Sequence, residues 1–166
     1  MDLVLRYDDE LALALWHFRA GVSGPDAWAA SEAGLDAFHS RTTHGAPACL
    51  VLVEPAGPVA TGPWRRTLVE ANRRLARMKF VAFSCEPPFL RGALKAIHWI
   101  GAVRGGPTQD GSRKVTVERS FDRALRFLEH ERRQRLERAF ELLTDTRNAL
   151  LRTVAVTERV EGESGR

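Results

Sequence analysis

Three short, almost wholly apolar runs constrain this chain most: LALALWHFRA at 11–20, ACLVLVE at 48–54 and KFVAFSC at 79–85. In the first, Leu11, Leu13, Leu15 and His17 alternate with Ala12, Ala14, Trp16 and Phe18, and both sets are mostly apolar. A strand reads this way when both of its faces are covered. The second run lies between Pro47 and Pro55 and, like the third, has the length of a buried strand.

The segments between these runs have the period of helices. LVLRY at 3–7 is separated from 11–20 by the acidic turn Asp8-Asp9-Glu10, which predicts an antiparallel hairpin. After the break at Gly21 to Pro25, Ser23 is suited to cap a helix whose stripe is Trp28, Leu35 and Phe38, ending near His44-Gly45. From Gly62 to Met78, Trp64, Leu68, Ala71, Leu75 and Met78 recur at helical spacing opposite a side rich in arginine. Pro87-Pro88 opens a further helix carrying Leu90, Leu94 and Ile97, which Gly101 is expected to end. KVTVERS at 114–120 alternates like an edge strand, and a long helix begins at Phe121. Alternating strands and helices predict an α/β fold: a mixed, mainly parallel sheet of about five strands with flanking helices and one antiparallel pairing at the start.

With 166 residues the chain has room for one domain and an appended helix. No apolar run approaches the roughly 18 residues of a membrane span, and the N-terminal region does not read as an export signal, so a cytoplasmic protein is expected. Cys49 and Cys85 sit in strand runs as small hydrophobes. The net charge of +4 comes almost wholly from arginine, but acids accompany it along most of the chain. In EHERRQRLERAFE at 129–141, four arginines stand against four glutamates, which is a solvated helix surface and not a nucleic-acid face.

The element order and the stretch LVLVEPAGPVATGPWRRTLVEANRRL resemble the STAS domain of anti-sigma-factor antagonists and sulphate transporters, as does the ending that begins FDRALRFL. The resemblance covers residues 1–130. It implies a non-catalytic regulatory module that works through protein contacts in bacterial signalling, partnered by a kinase or other regulatory protein. In the antagonist branch a hydroxyl residue before a glycine, after the strand matching 49–54, is phosphorylated. The matching tetrapeptide here is Val59-Ala60-Thr61-Gly62, which keeps the hydroxyl at Thr61 but has Val59 at the acidic position. A phosphate at a helix N-terminus is favoured by free N–H groups and the dipole, while Thr61 also suits a plain N-cap.

Arg65, Pro88 and Phe89 begin the two helices that follow adjacent strands, and they are the residues expected to meet a partner. Phe89 lies off the Leu90, Leu94, Ile97 stripe. Enzymatic chemistry has little to draw on: the histidines show no linking spacing, and Cys85 beside Glu86 is expected to have a raised pKa, not a nucleophile's lowered one. No metal or cofactor is called for. An alternative places a lipid or other apolar ligand in a Sec14-like groove walled by Ile97, Trp99 and Ile100.

Beyond the domain, 131–155 reads as an extended C-terminal amphipathic helix and 156–166 as a disordered tail. Its stripe of Leu136, Phe140, Leu143 and Leu150 needs burial, and the charged stretch 129–138 reads as a projecting spacer. Self-association into a homodimer, or docking on a partner, is therefore expected in place of fold-back.

Overall fold

The computed structural model describes residues 3–20, 25–42, 46–55, 69, 73–103, 113–145 and 148. Strands β1 (Leu3–Asp8) and β2 (Leu13–Ala20) form the expected antiparallel hairpin. Helix α1 (Pro25–Arg41), strand β3 (Ala48–Pro55), a 3-10 turn at Leu75–Arg77, strand β4 (Phe80–Cys85), helix α2 (Pro88–Val103), strand β5 (Lys114–Glu118) and helix α3 (Phe121–Arg132) follow. The sheet runs β1-β2-β3-β4-β5, parallel from β2 to β5. β5 is an edge strand, as its alternation predicts.

Strand order that follows chain order is the simplest product of crossovers of one hand, each returning over the same face. Leu35 and Phe38 of α1, Leu75 and Met78 around the 3-10 turn, and Leu90 and Leu94 of α2 duly share one core with Trp16, Val51 and Phe83 of the sheet. The opposite face carries Leu13, Leu15, Leu50 and Ala82 and packs on Ala124, Leu125 and Leu128 of α3. This two-sided burial is why β2, β3 and β4 are apolar at successive positions.

α1 ends at Arg41, ahead of the expected His44-Gly45, and three further boundaries differ from the sequence reading. β2 begins at Leu13, because Leu11 and Ala12 belong to the hairpin turn: the Leu11 N–H donates to the Asp8 carboxylate at 2.9 Å and Ala12 has φ 46°. α2 continues through Gly101 to Val103, since an isolated glycine costs a helix only about 1 kcal/mol and does not oblige it to stop.

The third difference is larger. The long terminal helix stops at Arg132, where Arg133 adopts the left-handed conformation, φ 52° and ψ 36°. Its N–H and that of Gln134 bond back to the carbonyls of His130 and Glu129, closing the helix in the manner of a Schellman turn. The Glu129 carboxylate then accepts the Leu136 N–H at 2.9 Å, and a short helix follows over 139–145. Leu136, Ala139 and Leu143 join the second core. Of the stretch expected to project as a spacer, 129–132 complete α3 and 133–138 turn the chain back, and the described part of the apolar stripe folds back on the sheet. Leu150 and the tail at 156–166 lie outside the described residues, as do Thr61, Arg65 and most of the helix expected over 62–78.

Candidate functional site

The carboxyl ends of parallel strands are where open α/β sheets usually bind small ligands, at a point where strand order reverses. Here the order runs in one direction across all five strands. Across the carboxyl edge, on the α3 face, the register aligns Val4, His17, Leu52, Ser84 and Glu118. His17 and Ser84 are buried, and the Leu52 strand separates them. Glu118 accepts from the Thr116 hydroxyl at 2.9 Å and pairs with Arg123 at 3.5 Å. The row holds a histidine, a serine and a carboxylate, but the intervening strand keeps serine and histidine from forming a nucleophile-base pair.

The thiols are poorly placed for chemistry. Burial pushes Cys85 up to about 11, with Arg91 drawing it back only in part. Burial raises Cys49 well above its ordinary value against the opposing pull of Arg113. Both therefore stay protonated at neutral pH, as the sequence reading of Cys85 expects. His98 lies tilted against Phe83 with ring centroids 4.9 Å apart, and burial, with Arg113 adding to it, lowers its pKa to about 4. Among the described residues, no group of three or more His, Cys, Asp or Glu side chains could hold a metal ion.

An open cleft between α1 and the 3-10 turn is lined by Glu32, Leu35, Asp36, Arg73, Arg74, Ala76 and Arg77. Its charges are already matched across the gap, Arg74 with Glu32 at 2.7 Å and Arg77 with Asp36. Among the described residues no helix is long and apolar enough to cross a membrane.

The start of α2 is different. Pro87 supplies the carbonyl that accepts the Arg91 N–H at 3.1 Å, and Pro88 occupies the first helical position, where its missing N–H does no harm. Arg91 turns back and donates to the carbonyls of Cys85, at 3.2 Å, and Glu86. The strand-to-helix corner is therefore held by two prolines and one guanidinium. On it stands Phe89, 68% exposed, while Leu90 beside it is fully buried. Pro88 and Glu86 are exposed as well.

Of the residues expected to meet a partner, Pro88 and Phe89 thus lie together on this corner, and Arg65 and Thr61 fall outside the described residues. Leu136 and Leu143, expected to mediate self-association, are buried against the sheet, which removes them from any outer surface. Phe140 is 51% exposed and packs edge-on against Phe121 at 5.1 Å. Ile97, expected to wall a lipid groove, packs against the first core. The sequence reading passed over Arg91 as the clamp and over Gly92, Lys95 and Ala96, which are exposed along the same helix. Counting 100° per residue from the Leu90, Leu94 stripe would have found the last three. Compared with known proteins, the chain matches no family model, no curated protein and no solved structure.

Proposed function

We propose that this chain is a non-catalytic protein-interaction module of the STAS type, which docks through the corner where β4 enters α2. The observation that carries the reading is Phe89: a large aromatic side chain left in water on a backbone stiffened by Pro87, Pro88 and the Arg91 clamp. A rigid, projecting aromatic loses little conformational entropy on binding and offers a large contact area, which is why such residues anchor interfaces. The STAS comparison rests on element order and hydrophobic pattern; the described residues hold five strands, one helix after β2, one before β5 and one after it, with a 3-10 turn between β3 and β4. Phosphorylation of Thr61 would then be the switch, adding charge to the helix that follows β3. The protein acts as a regulator in signalling, in the cytoplasm, with a kinase among its partners.

The test is capture from extracts of the native host by the purified chain, its Phe89→Glu variant and the pair Thr61→Ala and Thr61→Glu, with phosphosite mapping. A partner held by the parent and lost with Phe89→Glu is the expected outcome. If Phe89→Glu retains every partner, the docking role is wrong; if both Thr61 variants bind as the parent does, the switch is.

A further inference from the structure

The outward face of α2 carries the second half of a recognition surface. Leu90 and Leu94 point into the core, so a turn of 100° per residue brings Gly92 to the opposite side, with Phe89 and Ala96 flanking it on one side and Pro88 and Lys95 on the other. All five are exposed. The outward face of α3 is different in kind: Asp122, Arg123, Arg126 and His130 occupy it. On α2 the outward face carries one large apolar side chain, Phe89, and a single charge, Lys95.

The geometry points to a second copy of this chain as the cover, with the two α2 helices antiparallel about a two-fold axis. This inference rests on the reading of Phe89 as a docking residue and names its partner. Phe89 and Ala96 lie two turns apart on the same flank, equally far from the midpoint between Gly92 and Ala93. A two-fold axis through that midpoint seats each Phe89 over the Ala96 of the second copy, a projection on a flat. Gly92 of each copy then faces the other, and a side chain there would meet nothing within 4 Å of its own chain, so the close approach is open.

Charge favours the same arrangement. Glu86 is exposed just ahead of the helix and Lys95 just beyond the midpoint. The antiparallel two-fold brings Lys95 of one copy toward Glu86 of the other, whereas a parallel two-fold sets each flank against the opposite flank, so that Lys95 faces Ala96 and Glu86 stays at the far end of the pair. One helix face is smaller than the ~800 Å² per partner of a standard interface, so the dimer is expected to dissociate on dilution.

Sedimentation of the full-length chain over a hundredfold range of concentration tests this. The parent's mass should rise toward twice the monomer's. Phe89→Glu and Gly92→Leu should stay monomeric, with circular dichroism unchanged because both positions are exposed. Lys95→Glu should weaken the association about tenfold, and Glu86→Lys with Lys95→Glu should restore it. A parent that is monomeric throughout, a dimer that survives Phe89→Glu, or a double reversal that does not restore pairing each overturns the inference. The parent's monomeric state would still leave the docking role of Phe89 to be judged by capture of a host protein, which is a separate ligand.

Discussion

Arg138 reaches back across most of the chain to Glu10, Nη1 to Oε2 at 2.8 Å, and its Nε lies 3.7 Å from the Asp8 carboxylate. On the other side of the sheet, Arg41 at the end of α1 binds Asp9 at 2.6 Å. The acidic turn that reads in sequence as a simple hairpin loop is thus gripped from both layers, by the last turn of α1 and by the segment that folds back after α3.

Removing one grip gives the first prediction. Arg138 is more than half exposed, so Arg138→Ala should lower stability by only about 1 kcal/mol, and the difference should shrink at high salt. Asp8→Ala should cost more, about 1–3 kcal/mol, because it also strips the Leu11 N–H of its acceptor in a part-buried turn. Urea denaturation at low and high salt measures both. Equal losses would mean that the turn is held by the ion pair alone.

Fold-back of the terminal segment predicts unequal costs along one stripe. Leu136→Ala and Leu143→Ala should each destabilise by about 2–5 kcal/mol, as buried leucines do. Phe140→Ala should cost clearly less, since half of that ring is already in water. A projecting helix would instead make all three changes nearly neutral in the monomer.

Gly34 sits on α1 where a Cβ would come within 2.8 Å of the Tyr7 hydroxyl and 3.2 Å of its ring. Tyr7 is packed against Phe38, with centroids 5.2 Å apart, and has little room to retreat. Gly34→Ala should therefore destabilise by about 1–3 kcal/mol, although alanine is the better helix former. Adding Tyr7→Phe removes the closest atom and should recover part of the loss. Thermal melts of the two single variants and the double variant close the cycle; a stabilising Gly34→Ala would show that the ring moves freely.

His98 predicts an acid-side slope in stability. Its pKa falls from 6.5 to about 4 on folding, through burial first and Arg113 second. Between those values the unfolded chain binds the extra proton, so stability falls as pH drops from 6.5 toward 4, by as much as about 3 kcal/mol, and above 6.5 the group contributes nothing. His39, lowered chiefly by burial and then by Arg77, acts in the same direction. His98→Leu should flatten most of the slope in denaturation curves taken from pH 7 to 4. An unchanged slope would assign it to other groups.

Much of the fold could be read from residue order because its signals are local. Short runs that are apolar at nearly every position and lie between prolines, as ACLVLVE does, are too short for a helix and read as strands buried on both faces, and the 3.6-residue period of Leu90 and Leu94 fixes which side of α2 goes inward. The raised thiol pKa of Cys85 followed from the same local burial. The terminal stripe was misread for the converse reason: Leu136 and Leu143 announce that they need cover but carry no information on what supplies it.

The sequence by itself therefore determined the type and order of the elements, the antiparallel start of the sheet and the isolation of Phe89 from the buried stripe, since each depends on period and turn chemistry within a few residues. Only the tertiary structure decided that Arg133 would turn the chain back, that Arg138 and Arg41 would meet at one acidic turn, and that Arg91 would brace the corner beneath Phe89. Those contacts join groups whose geometry and burial are set by packed layers, and no local pattern of residues encodes the distance between two layers.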